Sequence, residues 1–198
     1  PEKAPAFFFL DIQPQQVDPF EKTLRSLSEV TRHDRSPTLR GRITAIDDVP
    51  VENAEISPDV QWAVRGDRYL SYTAEKPTET DIVAGQWWPA DYEGPPLISL
   101  TSDLARGFGI DIGDTLTVNV LGRSITGEIT SLREADWSSL NLDFAILFSP
   151  GVLESAPQTH IAAVHTVQDG SEDVFQEITG QFPNISAIDI REVLGNVS

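Results

Sequence analysis

Two stretches near opposite ends of the chain carry the same signature: an apolar strand, an amphipathic helix and a second apolar strand. In the first, FFFLDI at residues 7–12 is a short apolar run of the kind that becomes a buried strand. Asp18 then precedes Pro19, with Glu21 just beyond, which predicts an N-cap, a proline at the first helical position and an acid in the first turn. Val17, Phe20, Leu24, Leu27 and Val30 follow at spacings of three and four, the stripe of a helix with one buried face. LRGRITAI at residues 39–46 alternates and closes the unit as a strand. In the second stretch, HIAAVHTV at 160–167 predicts a strand. Ser171 is placed to cap a helix carrying Val174, Phe175, Ile178 and Phe182, Pro183 ends it, and ISAIDI at 185–190 predicts the last strand. Two such units predict an α+β fold containing a ferredoxin-like split βαβ lobe.

The residues between differ in composition. From about 47 to 158 the chain is rich in Pro, Gly and short alternating runs. WAVRG, YLSYT, LISL, TLTVNVL, SITGEITSL and FAILF all suit strands, while only residues 102–108 and a turn near 151–155 suggest helix. The expected organisation is a discontinuous α/β lobe, residues 1–46 plus 159–198, holding an inserted β-rich lobe, residues 47–158.

DLARGFGIDIGDTLTV, residues 103–118, decides whether a nucleotide loop is present. Thr101 or Ser102 is placed to cap a short helix on which Leu104 and Phe108 share a side. Gly109 suits the left-handed position that ends a helix, Gly113 and Asp114 form a turn, and TLTV starts a strand. A phosphate-binding loop runs strand, glycines, helix, and then Lys followed by Ser or Thr. Here that order is reversed, and Gly-Lys-Ser/Thr occurs nowhere in the chain. The glycines serve backbone geometry, and no cofactor is predicted.

Charge and composition exclude further classes. Against 31 acidic residues stand 14 Lys and Arg, a net charge of −17. Nucleic acid is excluded as a partner, and adsorption to anionic lipid is disfavoured, because both need excess positive charge. With no cysteine there is no disulfide, zinc thiolate site or thiol nucleophile. No run approaches the roughly 18 apolar residues of a membrane span. Methionine is absent even at position 1, so PEKAPAFFFLDI reads as the interior of a longer chain or a processed end.

PLISLTSDLARGFGIDIGDTLTV resembles the extracytoplasmic domain of FtsX-like, or MacB-like, ABC transporter permeases. FFFLDIQPQQVDPF, LRGRITAIDDVPV, WAVRGDRYLSY, VAGQWWPADYEGPPLISL and READWSSLNLDFAILFSPG are similar to the YbbP-type members of that family, and together these stretches cover most of the chain. The resemblance implies a MacB-like periplasmic architecture, with a membrane-proximal α/β lobe and an inserted β-rich lobe. It also implies transmembrane helices at both ends, a place in the bacterial inner membrane with this domain on the periplasmic side, and a separate cytoplasmic subunit that hydrolyses ATP. A lipid, a lipoprotein or another envelope protein would be the remaining partner.

The residues suggest little chemistry of their own. His160 and His165 are five apart on a strand and point to opposite faces, and His33 lies in TRHDRS, which reads as a polar helix end or turn. No metal site is predicted from them. No Gly-x-Ser-x-Gly elbow occurs, and no carboxylate pair stands out, so no catalytic residue is assigned. Arg65–Gly66–Asp67 matches an adhesion tripeptide but sits where a turn is expected. Asn184 and Asn196 lie in glycosylation sequons, which the bacterial resemblance discounts.

Trp87, Trp88, Tyr92 and Trp137 are the candidate contact residues. On a strand the two adjacent indoles would face opposite sides, one buried and one exposed. Such residues cap small sheets and also anchor partners. The expectation is a non-catalytic domain that passes cytoplasmic motion to a substrate or partner. A ligand-binding module using the Trp/Tyr-rich surface is the first alternative, and a hydrolase with a dispersed site the second.

Overall fold

The first strand and helix of the early signature fold together with the whole of the late one, but the early signature's expected closing strand, LRGRITAI at 39–46, belongs to the other unit, and residues 30–38 of the same long strand take its place. The computed structural model describes residues 4–77, 80–134 and 144–195. Its strands are β1 (Phe7–Ile12), β2 (Val30–Ile46), β3 (Val49–Pro50), β4 (Arg68–Tyr72), β5 (Ile82–Gly85), β6 (Leu97–Thr101), β7 (Thr115–Val120), β8 (Arg123–Arg133), β9 (Ile146–Phe148), β10 (Thr159–Thr166) and β11 (Ser186–Asp189). Its helices are α1 (Val17–Ser26), α2 (Ser102–Phe108), α3 (Ser171–Gln181) and α4 (Ile190–Gly195). The chain divides into two compact units, and the change-over falls inside β2, between Thr38 and Leu39.

The first unit contains residues 4–38 and 158–195. Its strands lie in the order β11-β1-β10-β2, every neighbour antiparallel. Numbered within the unit this is 4-1-3-2, the ferredoxin-like order, in which β10 separates the two strands of the first strand–helix–strand unit. One core contains Phe9, Ile12, Ala162 and Val164 from strands, Phe20 and Leu24 from α1, and Val174 and Ile178 from α3. Phe9 meets Phe20 edge to face, ring centroids 5.9 Å apart. Each such large side chain contributes about 2 kcal/mol through burial.

Three local expectations are corrected here. The chain turns helical earlier than Asp18: a 3-10 turn, Pro14–Gln16, leads into α1, and Gln13 and Gln16 cap it reciprocally. Asp18 is a first-turn acid instead. Gly170 takes the cap position before α3, and Ser171 is a buried helix residue that accepts a hydrogen bond from Arg191. TRHDRS is strand, because His33 and Arg35 are held opposite Val164 and Ala162 on β10. Pairing with a distant strand outweighs the polar, turn-like local sequence.

The second unit contains residues 39–134 and 144–157. Its strands close a circuit: β2 pairs β4, β4 pairs β9, β9 pairs β6, β6 pairs β8, β8 pairs β7, and β7 returns to β2. A closed barrel follows, which leaves these strands no free edge for aggregation. Alternation sets the inside. Leu39, Ile43, Leu70, Ile98, Leu100, Leu116, Val118, Ile129 and Phe148 share one core, while Arg40 and Arg42 are exposed. Gly41 is needed inside because a Cβ there would press on Leu70. β5 adds to β8, and β3 to β2. WAVRG is not a strand: it falls in a 3-10 helix, Pro58–Val64. Val60 and Ala63, three apart, are its buried residues, and the spacing is that of a 3-10 turn.

Candidate functional site

GQWWPADY begins where β5 stops. Gly85 has φ +74°, and a Cβ there would collide with the Thr130 carbonyl oxygen, so only glycine lets the chain turn so close to β8. The tryptophans therefore lie beyond the strand and do not face opposite sides, which corrects the alternation expected above. Their rings stack 4.2 Å apart at 35°. Trp87 Nε1 donates to the Ala74 carbonyl and Trp88 Nε1 to that of Thr73, both at 3.0 Å, so the pair pins the loop after β4. Trp88 is buried at 4% exposure; Trp87 is partly exposed. Tyr92 closes a turn, its N–H donating to the Pro89 carbonyl and its hydroxyl to that of Pro95.

Together these residues line an open groove of about 380 Å³ on the barrel's outer wall, completed by Ile112 and Thr130. Its lining is aromatic and apolar. Ile112 is 40% exposed, and the buried Thr130 hydroxyl has no hydrogen-bond partner among the described residues. Such a lining offers apolar and aromatic contact area. Trp87, Trp88 and Tyr92 are thus brought together; Trp137 lies outside the described residues.

The glycine-rich stretch has the role its order implied. Gly109 ends α2 at φ +71°, its N–H donating to α2 carbonyls. Gly113 has φ +96°, and the Asp114 carboxylate accepts from the Asp111 N–H, closing the turn into β7. Arg65–Asp67 is an exposed turn with Gly66 at φ +77°. Asn184 is engaged in structure, donating to the Asp11 carbonyl and the Gln16 side chain.

Two polar clusters were missed in the sequence. In the first unit, Glu21 of α1 receives His33 Nε2 at 2.6 Å and Arg35 Nε at 2.9 Å. Burial raises the Glu21 pKa, but those two donors outweigh it and hold it below the ordinary carboxylate value. Arg35 also donates to His160 Nδ1 at 2.8 Å. Burial, and then the Arg35 charge, lower His160 to about 4, so it stays neutral and poorly suited to switching at neutral pH. In the barrel, Arg133 is fully buried and donates to the Ser99 hydroxyl and to the carbonyls of Ser99, Phe144 and Ala145. Among the described residues no group of three His, Cys, Asp or Glu is placed to hold a metal ion.

A ferredoxin-like unit interrupted in sequence by a barrel with an aromatic outer groove defines a mixed α/β chain, and its whole sequence is similar to part of an ABC transporter permease. The specific relative is the uncharacterized ABC transporter permease YbbP of Escherichia coli (strain K12), 29% identical over 197 residues, 100% of this chain and 23% of the relative. The chain thus spans about a quarter of the curated relative it matches. No family model matches it. A solved permease domain from Porphyromonas gingivalis aligns over 94% of this chain and 84% of its own at 11% identity, with a TM-score of 0.43, too distant to support the fold. No helix among the described residues is long and apolar enough to cross a membrane.

Proposed function

We propose that the chain is a non-catalytic domain of a bacterial inner-membrane ABC transporter permease, on the periplasmic side. It would pass motion driven by ATP hydrolysis in a separate cytoplasmic subunit to a substrate or envelope partner. The observation that carries this is the whole-length similarity to YbbP. The first unit supports it mechanically: Phe7 and Asp189 are paired residues of β1 and β11, so the segments flanking this unit leave from neighbouring positions. Movement of membrane helices on either side would act on one spot. The barrel would present the working surface, with Trp87, Trp88 and Tyr92 as contact residues and Trp137 joining them.

The test uses the full-length permease with its ATP-binding subunit. A cysteine introduced at Leu121, which is 73% exposed, should react with a membrane-impermeant maleimide in intact cells. Labelling only after lysis overturns the periplasmic placement. Trp87→Ala with Tyr92→Ala should abolish complementation while ATP hydrolysis continues. The isolated chain should neither bind nor hydrolyse ATP. Turnover that survives purification and is lost on a point substitution would return the chain to the enzymes.

A second reading is favoured by the stacked indoles lining the groove: a small ligand bound against them. It predicts a saturable change in Trp fluorescence that Tyr92→Ala weakens.

A further inference from the structure

The three aromatic side chains of the groove have no hydrogen-bond donor left for a ligand. Trp87 Nε1, Trp88 Nε1 and the Tyr92 hydroxyl all donate to carbonyls of the chain itself. What they offer is ring surface, whose π electrons attract a cation. Elsewhere on the barrel such rings carry the chain's own arginines: Arg40 lies 5.2 Å from the Tyr69 ring centre and Arg68 5.7 Å from that of Trp62. Among the described residues no Lys or Arg stands over Trp87, Trp88 or Tyr92. No residue lining the groove is charged, but the segments that supply the lining are acidic. Residues 81–97, 110–115 and 126–132 hold Asp81, Asp91, Glu93, Asp111, Asp114 and Glu128, and no Lys or Arg. All but Asp114 are exposed. Asp91 and Glu93 flank Tyr92, and Asp111 precedes Ile112. Glu128 stands in register with Leu97, which lines the groove, and shares the outward row of β8 with Thr130. The loop held by the indoles adds Glu75 and Lys76, whose charges cancel, and the Lys76 Nζ donates to the Thr80 carbonyl. Arg133, the next base along β8, is buried in the interior.

We infer that the groove binds an extended basic segment of a partner protein, its Lys or Arg side chains lying against the rings and answered by the surrounding carboxylates. This deepens the contact role proposed for Trp87 and Tyr92, and rests on it. Charge complementarity selects the occupant. The acids come from three separate segments, so a chain with several cations meets all of them where one small cation meets a part. The groove is also open, whereas sites for small molecules cover about 70–90% of the ligand. The rings supply the selectivity. On a molecule of net charge −17, carboxylates alone attract cations to the whole surface. Only where unoccupied aromatic faces adjoin the acids does a guanidinium or ammonium gain a second contact.

The 198-residue chain provides the test. The probe is a fluorescein-labelled twelve-residue peptide of Gly and Ser carrying four arginines, measured by fluorescence anisotropy. A second peptide replaces each arginine by citrulline, which keeps the shape and loses the charge. The arginine peptide should bind saturably and at least tenfold more tightly than the citrulline peptide, and its binding should weaken as salt is raised. Trp87→Leu/Tyr92→Leu keeps apolar bulk but removes the rings, and should weaken binding about tenfold. Glu93→Gln/Glu128→Gln should weaken it about fivefold. Glu172→Gln/Glu177→Gln, which removes two exposed acids from α3, should change it less than about twofold. Amide chemical shifts on titration should move most around Tyr92, Ile112 and Thr130, which decides the matter if the leucine variant disturbs folding. Four results overturn the inference: equal binding of the two peptides, shifts centred elsewhere, equal losses in the two glutamate pairs, or equally tight binding of free arginine amide. Complementation by the full-length permease judges the contact role separately. If Trp87→Ala with Tyr92→Ala complements fully while the arginine peptide still binds selectively at the groove, the role in transport falls and the binding chemistry stands. If complementation is lost but the peptides bind alike, the groove is a contact site of another chemistry and the inference falls.

Discussion

His160 shows how a residue unremarkable in sequence gains a measurable role from its neighbours. Neutral in the folded state, it titrates at about 4 instead of 6.5. Between those values the unfolded chain takes up a proton that the folded chain refuses, so stability falls as pH drops from 6.5 towards 4. Glu21 adds to this lower down: its depressed folded pKa gives stability that is present above its ordinary value and lost as pH falls through the folded one. Because His160 is half-exposed, solvent screening keeps the slope well below the one-proton limit of about 1.4 kcal/mol per pH unit. Urea unfolding at a series of pH values should show the decline, and His160→Gln, whose carbonyl can still accept from Arg35, should flatten it above pH 5. An unchanged profile would mean that another group sets the acid limb. Arg133 is the larger effect. Its removal takes the donor from the Phe144 carbonyl, while the Ser99 hydroxyl keeps the Ser131 hydroxyl and the Ala145 carbonyl keeps the Thr101 N–H. Arg133→Ala should cost about 3 kcal/mol, since it empties the space of a fully buried side chain and an unsatisfied buried carbonyl alone costs about 1–3. A loss below 1 kcal/mol would show that water or a neighbour takes over. Neither residue was legible beforehand. Arg133 ends an alternating strand, where an arginine normally reaches solvent, and Arg35 meets His160 only because β10 pairs with β2.

At the scale of elements, the glycines separate two kinds of backbone demand. Gly109 and Gly113 both have positive φ, yet a Cβ on either would touch nothing within 4 Å. Alanine there meets only the dihedral penalty, about 1 kcal/mol each. Gly85 combines positive φ with a Cβ position that overlaps the Thr130 carbonyl. Gly85→Ala should therefore lower stability by more than twice as much and release the tryptophan loop, seen as a red shift of Trp emission before global unfolding. Equal losses for Gly85→Ala and Gly109→Ala would mean that β5 moves away freely. The same contrast marks what could be foreseen. Helix α2, its glycine end and the Asp114 turn follow from local chemistry within a dozen residues, and they stand as expected. α3 was equally visible from its stripe of Val174 and Ile178. Misplaced elements are those whose conformation depends on remote partners. TRHDRS becomes strand because β10 arrives beside it, and the Pro58–Val64 turn packs on α2, whose Gly107 admits Val60 closely. The tryptophans were placed on a strand because nothing local reveals that Gly85 must leave β8 at that point.

Across the whole molecule, the closed circuit of strands is the feature that no run of residues announces. Short alternating segments indicated β structure, but barrel closure depends on β7 returning to β2 and on two parallel pairings, β4 with β9 and β6 with β8. Closure has a consequence for how the chain can be divided. Every barrel strand finds its neighbours within residues 39–157, and its core is a separate cluster from that of the ferredoxin-like unit. Residues 39–157 alone should then fold cooperatively. The complementary excision is suggested by one register pair. Thr38 and Thr159 stand opposite each other on antiparallel β2 and β10, with Thr38 Oγ1 3.1 Å from Thr159 Oγ1. Antiparallel strands whose ends face one another can be joined by a two-residue turn, and Asn-Gly supplies the positive φ values that the favoured hairpin turn requires. A chain of residues 4–38, Asn-Gly and 159–195 should form a four-stranded ferredoxin-like unit, because every strand pair and both helices of its core are retained. Its size makes it marginal, so a melting temperature well below that of the 198-residue chain is expected. Circular dichroism and amide hydrogen exchange check both pieces: protected amides should appear at Phe7–Phe9 and Ala162–Val164 in the first, and at Leu116–Val118 in the second. If the Asn-Gly chain has no protected amides while residues 39–157 remain folded, the ferredoxin-like unit depends on the barrel. If the barrel piece unfolds, the closed circuit does not suffice to hold its core.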